Sequence, residues 1–172
     1  MKDVVVQDTS IMIDLANADL LQVWARLGIR TVTTDLVLEE IRRPVQRAKV
    51  LEQVAHGALE VKTMSGVELA SVMALSGSLP GAPSPADCSA LLLCEALDAD
   101  LLTGDRTLRS RAEGRGVTVR GVLWMLDTLV AESVLLPAEA GVALQKLLGM
   151  KARLPAAACD ERLHRWSGHS EA

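Results

Sequence analysis

Four acidic residues stand where a chain alternating strands and helices can bring them together: Asp8, Glu40, Asp87 and Asp105. Asp8 ends a short β-branched run, Val4-Val5-Val6-Gln7, and Asp105 comes after the run Leu101-Leu102-Thr103 and Gly104. Asp87 opens the helix that leads into that second run. Glu40 lies in the helix after another strand, with Glu39 beside it on a different face. Converging carboxylates repel one another unless they are protonated or neutralised by a cation. Hard divalent ions such as Mg²⁺ take oxygen ligands of this kind and keep several waters for a substrate phosphate. The chemistry such a set can do is metal-assisted phosphodiester cleavage. Each acid also has a plainer use. Asp87 suits the N3 position of a helix through the helix dipole, Asp105 is a plain N-cap, Asp8 can form an Asx-turn, and Glu40 can be a solvated helix acid. Capping alone, however, does not require three acids at one sheet edge.

The elements that must position these acids can be read from hydrophobic periodicity and punctuation. Strands are predicted at Val4–Gln7, 29–33, 59–62, 100–103 and 117–119. Helices are predicted over 11–27 with a break near Asn17-Ala18-Asp19, then over 36–41, 44–56, 65–75, 85–97, 106–113, 121–132 and 137–148. Ser84-Pro85-Ala86-Asp87 is the clearest start, with an N-cap Ser, Pro at N1 and Asp at N3. The stretch Ser76 to Pro83 is the richest in turn residues. Strands alternating with helices predict an α/β fold: a three-layer sandwich with a central parallel sheet of about five strands flanked by helices. In such sheets ligands bind beyond the carboxyl ends of the strands at a topological switch point, which is where the acids are expected. Residues 1–150 are expected to form this domain, and 151–172 a C-terminal tail or a short docked helix.

Composition narrows the classes. The chain has 172 residues, 49% hydrophobic and 23% charged, enough for one domain with a proper core and inconsistent with disorder over most of its length. It contains three Trp and no Phe or Tyr, so the core is aliphatic and a base-stacking platform is disfavoured. Its net charge of −4 excludes a globally basic nucleic-acid binder but not a local basic rim. Cys88, Cys94 and Cys159 form neither a C-x-x-C pair nor a disulfide framework. With no apolar run long enough to cross a membrane and no signal peptide, the expected location is cytoplasmic. His56, His164 and His169 lie outside every acidic motif, and His164, His169 and Cys159 match no standard zinc spacing.

The acidic segments, taken in order, resemble a known family. Val4-Val5-Val6-Gln7-Asp8-Thr9-Ser10, Leu38-Glu39-Glu40-Ile41, Ser84-Pro85-Ala86-Asp87 and Leu101-Leu102-Thr103-Gly104-Asp105-Arg106-Thr107-Leu108-Arg109 look like the successive motifs of PIN-domain nucleases, including the VapC-like toxin-type ribonucleases. Gly116-Val117-Thr118-Val119-Arg120-Gly121-Val122-Leu123 is similar to the segment just after the last motif in that family. The resemblance covers residues 1 to about 130; its two later motifs are the more specific and the glutamate motif is loose. It departs from the family at Gln7, where an apolar residue is more usual, and in the choice between Glu39 and Glu40. Glu40 is taken because it directly precedes apolar Ile41.

The resemblance implies a Mg²⁺- or Mn²⁺-dependent endoribonuclease leaving 5′-phosphate and 3′-hydroxyl ends. Asp8, Glu40, Asp87 and Asp105 would be the metal-binding, catalytic acids, and Thr9, Ser10 and Thr103 secondary polar groups. It also implies a homodimer and, for a toxin, an antitoxin protein; by analogy, the apolar helix holding Leu36, Val37 and Leu38 is a candidate groove for an antitoxin helix. RNA is the expected substrate, with no membrane partner. Residues 105–120 carry five Arg against two acids, a local +3, and residues 39–49 carry three Arg and one Lys against two Glu, a local +2. From these stretches Arg42, Arg43, Arg106 and Arg109 are the candidates to grip the RNA backbone. Two other classes compete. One is a non-catalytic RNA- or protein-binding domain of the same fold. The other is a phosphotransferase or phosphatase with Asp8 as nucleophile, which usually needs a second acid two residues on, where this chain has Ser10.

Overall fold

A computed structural model describes residues 3–77, 82–150 and 152–168. The loop predicted over Ser76 to Pro83 lies partly, and His169 wholly, outside these residues. The chain alternates as expected: β1 (Val4–Gln7), α1 (Thr9–Ala18), α2 (Leu21–Ala25), β2 (Arg30–Thr34), α3 (Asp35–Glu40), α4 (Pro44–Ala55), β3 (Glu60–Lys62), α5 (Gly66–Ser76), α6 (Pro85–Leu97), β4 (Asp100–Leu102), α7 (Arg106–Gly114), β5 (Val119–Arg120), α8 (Val122–Ala131), α9 (Pro137–Gly149) and α10 (Ala156–Ser167). All five strands are parallel, in the order β3-β2-β1-β4-β5.

The sheet has helices on both faces, which is why its middle strands are buried along nearly their whole length rather than at alternate residues. Val5, Val6, Leu101 and Leu102 are fully buried. Two β2 residues of opposite pleat show the two layers: Thr31 accepts from Trp24 Nε1 of α2 at 3.0 Å, while Thr34 is hydrogen-bonded to Ser89 of α6 at 2.6 Å. From β1 the chain builds outward to β2 and β3, then crosses back through α5 and α6 to β4 and β5 on the other side. The order therefore reverses between β1 and β4. That pair holds Val5 against Asp100 and Gln7 against Leu102, and the crevice beyond its carboxyl ends is the switch point.

One boundary differs from expectation, that of the last strand; a break near 17–19 and a short docked helix after residue 150 are among the expected forms. The predicted helix over 11–27 breaks at Asp19, which takes a left-handed conformation (φ 59°) as C-cap of α1; Lys49 and Lys146 both pair with its carboxylate. The last strand is Val119–Arg120 rather than 117–119, because the Val117 N–H bonds back to Ala112 O at 2.9 Å and belongs to the end of α7. After residue 150 the chain forms α10, a helix docked on α9. Its Cys159 and Trp166 enter the main core, and Arg162 and Arg165 both donate to Asp127 of α8.

Because Trp166 is 3% exposed, Trp166→Ala is expected to lower unfolding stability by about 3–5 kcal/mol, read by urea denaturation. A loss under ~1 kcal/mol would mean that α10 is only an appendage.

Candidate active site

Each of the three aspartates sits at the start of a helix that leaves the carboxyl end of a strand or the loop facing it. Asp8 is the N-cap of α1, its Oδ1 accepting from Ile11 N at 3.0 Å. Asp105 is the N-cap of α7, accepting from Leu108 N at 2.7 Å. Asp87 is the N3 residue of α6 and closes a capping box, accepting from Ser84 N at 3.1 Å while Ser84 Oγ accepts from Asp87 N. The plainer explanation of each acid is therefore physically true: unpaired N–H groups at helix starts attract carboxylates. What capping does not explain is their convergence.

Asp8 is the centre of the arrangement. Its backbone N–H donates to Leu102 O at 3.1 Å, which registers it against the end of β4. It is 3% exposed, and Thr103 Oγ1 donates to its Oδ2 at 2.5 Å. Ser10 Oγ lies within 2.8 and 3.0 Å of its two oxygens and accepts from Gly104 N at 2.8 Å. Thr103 Oγ1 in turn accepts from Asp105 N at 2.9 Å. The turn 103–105 is thus tied to Asp8 through two hydroxyls. On the other flank, Thr9 Oγ1 donates to Glu40 Oε2 at 2.9 Å. Glu40 is itself exposed although Ile41 after it is buried.

Electrostatics links all four acids. Burial pushes the Asp8 carboxyl up to about 6, against the opposing effect of the Thr103, Ile11 and Ser10 hydrogen bonds, and the charge of Asp87 adds to the rise. Burial also raises Asp87; its Ser84 contacts oppose this, and the negative charges of Glu40 and Asp105 push the same way. Asp87 is therefore the acid through which the others repel. Among the described residues, no three His, Cys, Asp or Glu side chains form a ready-made chelate. Each aspartate spends one oxygen on a helix start and keeps lone pairs over.

The basic candidates divide. Arg42, Arg43 and Arg106 are exposed and make no hydrogen bond or ion pair with the described residues; they adjoin Glu40 and Asp105. Arg109 is used inside the fold instead of on the surface: its guanidinium reaches the carbonyls of Thr103 (3.3 Å) and Val119 (3.4 Å) and pairs with Glu113. Arg47, Lys49, Arg115 and Arg120 are likewise engaged, with Leu38 O, Asp19, Glu95 and Asp100. The groove suggested by Leu36, Val37 and Leu38 is not open, since Val37 and Leu38 are buried and Leu36 packs against the same core. His164 is exposed and Cys159 buried as a free thiol.

One acid was missed. Asp14 lies one turn beyond Ser10 on α1, part-buried, and burial pushes its carboxyl up to about 6. A Cβ on Gly104 would lie 3.2 Å from Ser10 Oγ and 3.8 Å from Asp14 Oδ2, so both side chains reach the turn that carries Asp105. The signal in the sequence was the i, i+4 spacing of Ser10 and Asp14 on a helix that is otherwise apolar there.

The all-parallel sheet flanked by helices makes a PIN-like α/β sandwich, a nuclease-type fold. A family model described as a PIN domain matches residues 4–168. The chain belongs to the PIN-domain family. Two solved structures share the fold. One is a PilT N-terminus domain protein, SSO1118, from the hyperthermophilic archaeon Sulfolobus solfataricus P2. It is 15% identical, with a TM-score of 0.50 over 74% of this chain and 93% of that one. The other is PAE2754 from Pyrobaculum aerophilum, 18% identical, with a TM-score of 0.53 over 74% and 89%. No curated protein matches the chain in sequence.

The raised Asp8 carboxyl fixes a pH dependence. Its folded value, about 6, lies above the ordinary 3.8, so the folded state binds the extra proton. Stability from this group is full below pH ~4 and is lost as pH rises through ~6, by an amount on the order of 3 kcal/mol. Asp8→Asn is expected to gain stability relative to the wild type between pH ~4 and pH ~7.5. Urea melts at the two pH values check this, and an unchanged difference would refute it.

Proposed function

We propose that the chain is a Mg²⁺- or Mn²⁺-dependent endoribonuclease of the toxin type, cutting RNA phosphodiester bonds at the lip formed by Asp8, Glu40, Asp87 and Asp105. The observation that carries the reading is the placement of Asp8, Asp87 and Asp105 at helix starts around the β1–β4 switch point, with Glu40 bonded to Thr9 of α1. Like charges held this way by the backbone are relieved by a hard cation or by protons. The donor set fits such an ion: carboxylate oxygens with lone pairs to spare, hydroxyl-oriented, with neither thiolate nor imidazole among them. When bound, the ion would supply Lewis acidity toward the phosphate and a water of lowered pKa.

The chain's own residues do the rest. Asp8 would be the inner ligand, its orientation fixed by Thr103 and Ser10. Thr9 steadies Glu40, and Asp87 and Asp105 would complete the set from opposite sides. Arg42, Arg43 and Arg106 supply exposed positive charge beside an acidic pocket that would otherwise repel a polyanion. These contacts position the backbone and carry no sequence information. A homodimer and an antitoxin partner belong to this reading on the family resemblance alone.

A second reading also has support: Asp8, Asp87 and Asp105 are each satisfied at a helix start, and no preformed chelate exists among the described residues. That suits a non-catalytic RNA- or protein-binding PIN domain.

A single-stranded RNA with a fluorophore and a quencher separates the two. Cleavage is expected with Mg²⁺ or Mn²⁺ and not with EDTA. Asp8→Asn and Asp87→Asn are each expected to lower the rate on the order of 100-fold or more, since metal ligands cost at least as much as the groups that orient them. Turnover in EDTA, or activity surviving both substitutions, overturns the nuclease reading; RNA bound but never cut supports the second.

A further inference from the structure

Helix α9 turns a second seam outward. Its inward face, Ala140, Ala143, Leu144 and Leu147, is buried in the main core. On the other side Ala138, Gly141, Gln145 and Leu148 follow the alternating three- and four-residue spacing of a helix that packs along another helix, with Val142 beside them. All but Gly141 are exposed, Val142 by 67%. Between this seam and α10 lies a groove of about 530 Å³, walled by Ala138, Gly141, Val142 and Gln145 on one side and Leu163 and Trp166 on the other. That size is in the range that takes a ligand. A Cβ on Gly141 would meet nothing within 4 Å, so the missing side chain keeps the groove open.

The groove also holds a donor without an acceptor. Trp166 is 3% exposed, and its indole N–H donates to no described residue. No side-chain nitrogen or oxygen among the described residues is both fully enclosed and unpaired, so this N–H has an opening, and the groove is the space that Trp166 lines. Trp24, equally buried, instead donates its N–H to Thr31 inside the fold.

The charge around the groove selects the partner. Glu139 stands one turn before Val142 on α9, and Asp160 and Glu161 one turn before His164, which also lines the groove from α10. These acids are exposed, and no ion pair reaches them from the described residues. The basic residues nearby are spent elsewhere, Lys146 on Asp19 and Arg162 and Arg165 on Asp127.

We propose that the groove between α9 and α10 is a docking site for an amphipathic helix of a partner protein, its aliphatic stripe toward Gly141 and Val142 and its basic flanks toward Glu139, Asp160 and Glu161. The carbonyls of such a helix are bonded within it, so the acceptor for the Trp166 N–H is a side chain, an amide or a hydroxyl. The proposal does not depend on the nuclease reading.

The test measures, by fluorescence anisotropy, binding of a labelled synthetic peptide to the full chain. The peptide has ~18 residues, with Leu and one Gln at its a and d positions and Lys on its flanks. It is expected to bind about tenfold more tightly than a scrambled peptide of the same composition, and than its counterpart with Glu in place of Lys. Gly141→Leu, which fills the groove, is expected to remove that advantage. Trp166→Phe, which keeps a ring but not the N–H, is expected to weaken binding about 3- to 10-fold. Of the three tryptophan indole signals in a proton–nitrogen correlation spectrum, the one missing from Trp166→Phe is expected to shift on binding. Val67→Glu, on the exposed face of α5, is expected to change nothing. Thermal melts confirm that the variants fold, and Gly141→Leu alone carries the test where Trp166→Phe does not fold. Equal binding of the scrambled peptide, full affinity in Gly141→Leu, an equal loss in Val67→Glu, or shifts of the other two indole signals alone overturn the proposal. Self-association that Gly141→Leu abolishes and the peptide does not displace makes a second copy the occupant and overturns it too. So does saturation of the groove by the dye anilinonaphthalene sulfonate with no binding of the peptide.

Discussion

The site depends on one electrostatic constraint. Helix starts attract carboxylates, because the first N–H groups of a helix have no partner within it. A parallel sheet with crossover helices places many such starts at one edge. At the switch point between β1 and β4 this fold collects the starts of α1 and α7, and faces them with the start of α6. Each cap is locally stabilising. Together they force like charges toward one another, and Asp87 registers the repulsion of two neighbours while adding to that of a third. Local rules are thus obeyed one by one and strained in sum.

Asp8 concentrates that conflict. It is buried, it is acidic, and it has three hydrogen bonds that favour its charged form, yet burial still prevails. Its surroundings are built to hold it rather than to relieve it. Thr103 and Ser10 fix its oxygens and attach the 103–105 turn to α1, and Gly104 leaves room for Ser10 and Asp14. The positive charge nearby is divided by the same economy of contacts. Arginines that meet a carbonyl or carboxylate at the sheet edge, such as Arg109 and Arg120, become part of the framework. Arg106 at the exposed start of α7, and Arg42 and Arg43 in the loop before α4, make no such contact with the described residues and stay available to a ligand.

Much of the architecture was legible because the signals were local. Ser84-Pro85-Ala86-Asp87 starts α6 where an N-cap, a proline at N1 and a capping acid predict it. The β-branched run Val4–Gln7 is the central strand, and Thr34 caps α3 through Val37 N. The less legible parts were those where a distant contact outweighed a local pattern. Val117 looked like strand but its N–H closes α7. Whether the chain after 150 docks was open in the sequence, and Trp166 and Cys159 take their places in the main core where α10 packs on α9. Leu36, Val37 and Leu38 looked like a free apolar face because nothing in the sequence says what covers them.

By itself the sequence determined the order of elements, the aliphatic core, and which acids stand at helix starts, since periodicity, capping and turn chemistry act over a few residues. The tertiary structure decided which of those acids face one another, which arginines are spent on carbonyls, and that Asp14 borders the turn at Gly104. Those outcomes depend on Coulomb forces and hydrogen bonds between groups far apart in the chain, and the chain must fold before such groups can meet.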